Sequence, residues 1–248
     1  MNNMLGAIVD WIYPPICISC KSIIPINEKD NVHGCVCSHC NHLFVPIKLP
    51  VCEKCGSPVS DINIKSCSLC FKKTLHFTCN RSTFDYDGII RDILHDMKFR
   101  SRKQTAKGCG AIWAQKLDEE YLDGVDILVP IPLHKKKERE RGFNQALVMA
   151  KSLSEAFDIP VAEDLLIRVK DTPPLSNLTP WERLEAMDGA FIFNEGYEVE
   201  SIVICLIDDI YTTGATLSQA AKTLDENCNT VNIKTMTFAI ALKNDENT

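Results

Sequence analysis

The sequence predicts an α/β protein, a parallel sheet flanked by helices, behind a small cysteine-rich N-terminal module. Three observations carry this. Val203-Ile204-Cys205-Leu206-Ile207 is an apolar, largely β-branched run, the mark of a strand buried on both faces of a parallel sheet. From Ala215 the pattern turns helical, with Leu217, Ala220, Ala221 and Leu224 on one stripe. Of the 13 cysteines, ten precede Asn80 and only Cys109, Cys205 and Cys228 follow. That asymmetry divides the chain of 248 residues into 1–79 and 80–248, enough for a small module and one medium α/β domain.

The first residues, Met4 to Tyr13, are apolar but short and interrupted by Asp10; they cannot span a bilayer and read as a helix packing on its own domain. They lack the basic leader and cleavage site of a secretory signal, so the chain is expected in the cytoplasm. In that reducing compartment paired cysteines read as metal ligands rather than disulfides. Cys17-x2-Cys20, Cys37-x2-Cys40, Cys52-x2-Cys55 and Cys67-x2-Cys70 follow in series. Two thiolates two residues apart can turn onto one metal, and two such pairs complete a zinc tetrahedron. The simplest pairing is sequential: Cys17, Cys20, Cys37 and Cys40 on one zinc, and Cys52, Cys55, Cys67 and Cys70 on a second. Spacing alone leaves an interleaved pairing open. Gly56 after Cys55 fits a knuckle that needs a permissive backbone. Cys35 offers a competing ligand, whereas His33, His39, His42, His76 and Cys79 read as structural or surface residues, since eight paired thiolates suffice. A head with so little apolar content takes its folding energy from metal.

Ser82 to Gly88 reads as a short strand and turn, and Ile89, Ile90, Ile93, Leu94 and Met97 make a helical stripe ending in the basic run from Lys98 to Lys103. That run suits an anion or a solvated helix end equally well. A second helix is expected from about Gln104 to Glu120. Asp126 to Leu133 is a strand entering a proline-stiffened loop, His134 to Gln145, and a helix follows through Ala146, Leu147, Met149, Ala150 and Leu153. In the loop, Arg139 and Arg141 present planar forks suited to diphosphate, and Lys135 to Lys137 add point charge. The segment Arg168 to Arg183 holds three prolines and no sustained period, a candidate lid. A terminal strand is expected around Ile233 to Leu242.

The chemistry concentrates after the Val203 strand. Two carboxylates, Asp208 and Asp209, end the apolar run, and Thr212-Thr213-Gly214-Ala215-Thr216 follows. Free backbone N–H groups at a helix start favour phosphate, Gly214 permits close approach, and the threonine hydroxyls add donors. The acids can accept hydrogen bonds from ribose hydroxyls. No lysine follows the glycine, which disfavours a nucleoside triphosphatase. The net charge of −6 excludes a protein that is a polyanion binder overall, so any nucleic-acid contact must be local.

The window from Val203 to Thr216 resembles the phosphoribosyl-diphosphate signature of type I phosphoribosyltransferases, which implies a 5′-phosphate on Thr212 to Thr216 and ribose hydroxyls on Asp208 and Asp209. Val129-Pro130-Ile131-Pro132-Leu133-His134, with Arg139-Glu140-Arg141-Gly142-Phe143-Asn144-Gln145 behind it, is similar to the ComF (ComFC) family over nearly the whole chain. That resemblance implies a double zinc ribbon joined to a type I phosphoribosyltransferase-like domain, associated with DNA uptake and natural transformation. It implies phosphoribosyl diphosphate with magnesium as ligand, and single-stranded DNA and other DNA-uptake proteins as partners. It puts Lys135, Arg139, Arg141, Asn144 and Gln145 on the pyrophosphate side and Arg168, Thr172 and Arg183 in the lid. Leu175 and Ala186 depart from it, standing where glutamine and asparagine are usual, which bears on catalysis more than on fold. The implied activities are a phosphoribosyl-diphosphate-binding competence factor, an active transferase acting on a nucleobase or related acceptor, or a non-catalytic DNA and protein adaptor.

Overall fold

The computed structural model describes residues 14–25, 34–61, 63–71, 74–99, 102–172, 182 and 186–241. A four-stranded parallel sheet is built from β1 (Asn80–Asp85), β2 (Ile127–Pro130), β5 (Val203–Tyr211) and β6 (Asn232–Ile240), in the order β1-β6-β5-β2. Strands β3 (Leu166–Arg168) and β4 (Phe191–Phe193) pair antiparallel as a separate hairpin.

Helices α3 (Gly88–Phe99), α4 (Lys103–Lys116) and α6 (Gln145–Phe157) cover one face of the sheet, where Trp113, Met149, Leu153, Phe84 and Phe238 share a core. The α7 helix (Ala215–Asn227) packs in the other core through Leu217, Ala220, Ala221 and Leu224, against Ile204 and Leu206. Burial on both faces explains why β5 reads as an uninterrupted apolar run. The second helix is shorter than expected: α4 ends at Lys116, and Glu119–Leu122 forms a separate 3-10 turn capped by the Asp118 side chain. The last strand starts one residue earlier than expected and stops at Ile240.

The β5 strand is longer than its apolar run. Both acids lie inside it, and it continues to Tyr211 because β6 is equally long and supplies partners that far. Pairing runs from Asp208↔Thr237 to Ile210↔Ala239, and across that step the side-chain alternation shifts. Cys205 and Ile207 face the α3–α4–α6 core, as does Ile210, while Tyr211 joins Ile204 and Leu206 in the α7 core.

The cysteine module is two copies of one knuckle. Pro15 to Ile24 and Pro50 to Val59 repeat the same bonds: Cys17 and Cys52 N–H donate to Ser22 and Ser57 carbonyls, and Ile24 and Val59 N–H donate to Pro15 and Pro50. After the second cysteine the backbone is left-handed in both, at Gly56 (φ 76°) and at Lys21 (φ 63°). Glycine meets that requirement freely, whereas Lys21 holds it while pairing with Asp96 of α3 at 2.8 Å. The second thiolate pair of each unit brackets the start of a short helix, Cys37 just before and Cys40 within α1 (Ser38–Asn41), Cys67 just before and Cys70 within α2 (Ser68–Phe71). The second knuckle is tied to the sheet by Asn80, fully buried: its Nδ2 donates to the Cys55 carbonyl and to Ser82 Oγ, and its Oδ1 accepts from Thr235 Oγ1. Asn80→Ala removes three buried hydrogen bonds, among them the side-chain donor to the Cys55 carbonyl, so unfolding in urea should show a loss of about 2–4 kcal/mol.

Candidate functional site

The carboxyl ends of β5 and β2 are neighbours in the sheet, and the loops that leave them form the candidate site. Asp208 is half-buried and Asp209 buried. Asp209 Oδ2 lies 2.7 Å from Lys98 Nζ, on the last turn of α3. The basic run at that helix end therefore splits by direction: Lys98 meets the acid pair, while Arg102 joins Lys21 on Asp96. Burial first, and the adjacent Asp209 charge second, push the Asp208 carboxyl up to about 7, against the Asp209 amide, Lys98 and Arg168, which favour its ionised form. The Asp209 N–H donates to Asp208 Oδ1 at 2.8 Å.

Beyond the strand, Thr212 is exposed, Thr213 buried and Thr216 half-buried. Gly214 takes φ 78°, the left-handed N-cap of α7, and Ala215 is the first helical residue. An added β-carbon on Gly214 would sit 2.6 Å from Tyr211 Oη, so glycine is required by space as well as by dihedral.

Across the crevice, the expected basic loop is a helix, α5 (Lys135–Arg141), closed by Gly142 at φ 78°. Helical spacing separates its three lysines. Lys135 and Lys136 are exposed, Lys136 pairing with Asp171 at 3.4 Å, whereas half-buried Lys137 turns in and donates to the Thr172 carbonyl. Of the arginines, Arg139 is exposed and Arg141 donates to Gln145 Oε1 at 2.9 Å. Asn144 is the N-cap of α6, its Oδ1 accepting from Ala146 N–H while its Nδ2 holds the Ile131 carbonyl. The Nε2 of buried Gln145 has no hydrogen-bond partner among the described residues.

Arg168, on β3, donates to Thr172 Oγ1 and lies over the Phe191 ring, its Cζ 5.7 Å from the centroid, and its buried Nε has no partner among the described residues. Burial draws both Lys137 and Arg168 below their ordinary pKa, a cost reduced for Arg168 by Asp208 and Asp171. Two desolvated cations beside a half-buried acid suit an anionic ligand that also offers hydroxyls. Arg183, Leu175 and Leu178 lie outside the described residues, and Ala186 is half-buried.

Lys98 and Tyr211 stand beside the candidate site without having been singled out in the sequence as partners of the acid pair, and of Lys135 to Lys137 it is Lys137 that faces inward. A helical reading of residues 135–141 would have set the three lysines on different faces; no local signal marks Lys98 as the partner of an acid 111 residues away.

The eight paired cysteines form two groups, Cys17, Cys20, Cys37, Cys40 and Cys52, Cys55, Cys67, Cys70, the sulfurs of each within 4.8 Å of one another. The pairing is sequential. The Cys20 and Cys37 sulfurs are 3.8 Å apart and those of Cys55 and Cys67 3.7 Å, against about 3.8 Å for four Zn–S bonds of about 2.3 Å in a tetrahedron. The Cys37 and Cys67 N–H groups donate to Cys17 and Cys52 sulfur, as thiolate ligands require. Both groups fit structural zinc, with four thiolates and no open position. Cys35 lies outside the first group, against Gly108 of α4.

Residues 8–74 match a family model described as a double zinc ribbon domain. The chain is similar to competence protein ComFC of Bacillus subtilis, 31% identical over 96% of this chain and 99% of the relative. It is also similar to the DNA utilization protein YhgH of Salmonella typhimurium, 24% identical over 86% of this chain and 92% of the relative. Competence protein F of Haemophilus influenzae is 24% identical over 84% of this chain and 90% of the relative. Among solved structures, adenine phosphoribosyltransferase from Leishmania donovani aligns with 56% of this chain and 55% of its own at 12% identity and a TM-score of 0.32, too slight a likeness to carry an argument.

The raised Asp208 has a consequence for stability. Between about pH 4 and about pH 7 the folded state holds a proton that the unfolded state has released, so stability falls as pH rises through that window. Asp208→Asn should therefore melt higher than the natural protein at pH 8, by about 2–4 °C per kcal/mol recovered, with the gap narrowing as pH falls and closing below about pH 4. Metal analysis of the purified chain should return two zinc ions, all chelator-sensitive.

Proposed function

The chain belongs to the ComF (ComFC) family, and on that premise we propose that it binds phosphoribosyl diphosphate in the crevice between the β5–α7 turn and helix α5. One observation carries the reading: half-buried Asp208 and buried Asp209 stand at the end of β5 beside a left-handed, threonine-bearing helix start, with Arg168 favouring the charged form of Asp208 and Lys137 held to the same Thr172 as Arg168. The acids would take the ribose hydroxyls. The N–H groups and hydroxyls of 212–216 would take the 5′-phosphate, and the cations on α5 and β3 the diphosphate. Magnesium belongs with the diphosphate in this reading, because Asp209 is already engaged by Lys98. The physiological setting is DNA uptake, with single-stranded DNA and other uptake proteins as partners.

Transferase turnover is the second reading. Fixed cations beside a departing diphosphate, and carboxylates beside a ribose ring gaining positive charge, both lower the barrier to breaking the anomeric bond. Diphosphate release measured across a panel of bases separates an enzyme from a ligand-binding factor.

Calorimetry with phosphoribosyl diphosphate and magnesium tests the primary reading; Asp208→Asn with Asp209→Asn should weaken binding by a factor of about 10 or more. An ionised carboxylate accepts hydroxyl hydrogen bonds more strongly than a protonated one, so affinity should fall as pH is lowered from 8 to 6, by at most about tenfold per unit for one proton. Absence of heat with the natural chain at pH 8 refutes the reading.

A further inference from the structure

The two metal sites are related by sequence repeat but seated differently. The first lies in the core under α3 and α4: Ile18 of its knuckle packs where a β-carbon on Gly108 would fall, and Lys21 pairs with Asp96. The second shares the α7 core with Phe77 and Tyr211. Phe77 meets the Tyr211 ring edge-on, with centroids 6.5 Å apart and planes at 83°. Lys54, between the Cys52 and Cys55 ligands, donates to the Phe77 carbonyl, and its Nζ lies 5.3 Å from the Phe77 ring centroid. One residue earlier, the His76 N–H donates to Ser218 Oγ in the first turn of α7 at 3.1 Å, and Ser218 N–H donates to the Gly214 carbonyl at 2.8 Å. The Tyr211 phenol then lies directly against the Gly214 α-carbon.

Resting on the phosphate-turn reading above, we propose that Tyr211 is a positioning residue through which the second metal site, and not the first, holds the 212–216 turn in its ligand-accepting shape. The linkage is physical at each step. Metal fixes the second knuckle, the knuckle fixes Phe77, Phe77 and the sheet fix the tyrosine ring, and the phenol leaves only a glycine's room at Gly214. Emptying the second site frees Phe77 and Tyr211 to repack, and the turn loses the surface that defines its left-handed bend.

The test uses the full chain with zinc bound. A chelator titration is read by alkylation of cysteines, which reports which site has released metal, and by amide hydrogen exchange over residues 211–218. Exchange there should rise in step with labelling of Cys52, Cys55, Cys67 and Cys70, and not with labelling of Cys17, Cys20, Cys37 and Cys40. A turn whose protection follows the first site, or neither, overturns the proposal. Tyr211→Leu should keep two zinc ions yet raise exchange over 211–218 and weaken phosphoribosyl diphosphate by about tenfold. Adding Cys67→Ala to it should cost no further affinity. A Tyr211→Leu chain with two zinc ions and unchanged turn protection also overturns it. The exchange readout needs no sugar, so a natural chain that fails to bind phosphoribosyl diphosphate refutes the ligand reading while the metal-to-turn linkage is judged separately.

Discussion

Two adjacent carboxylates at the end of an otherwise apolar strand are the constraint around which the sheet is dressed. Burial and the adjacent Asp209 charge both oppose ionising Asp208, and the surrounding elements each meet part of that cost. Helix α3 places Lys98 on Asp209 at 2.7 Å, and the β3–β4 hairpin brings the Arg168 guanidinium close enough to favour the charged form of Asp208. Neither cation belongs to the strand–turn–helix unit that carries the acids. The acid pair is thus a local sequence feature sustained by distant elements.

The metal modules extend the same logic. The two knuckles share their hydrogen bonds, their thiolate spacing and a left-handed residue after the second ligand, yet they serve opposite faces of the sheet. The first braces α3, the helix that ends in Lys98. The second is pinned to β1 by Asn80 and lies beside the last residue of β5. Metal here substitutes for apolar bulk that a short ribbon cannot supply.

On the α5 side of the crevice, seven residues that read as a basic loop form a helix instead, and helical geometry chooses among the lysines. Lys137 is held to the Thr172 carbonyl, while His134 and Lys136 face Asp171, so α5 clasps the strand exit from which the candidate lid departs. Arg168 is held to the same Thr172. Thr172 therefore joins the two cations, which places them as a pair rather than as independent surface charges.

The sequence by itself determined what lies within a few residues of one strand or turn. The apolar run, the twin acids, Gly214 and the α7 stripe are contiguous, so period and dihedral demand could be read directly. The Cys-x2-Cys spacing sets ligand geometry locally, and Gly56 carried the knuckle's backbone requirement in its identity. The tertiary structure alone decided how the thiolate pairs combine, which lysine faces inward, and that Lys98 stands on Asp209 and Tyr211 against Gly214. It also decided that three-residue strands at 166–168 and 191–193 would pair, since segments that short leave no period to detect. These outcomes depend on distances across the sheet between residues far apart in the chain, and one-dimensional spacing holds no record of such distances.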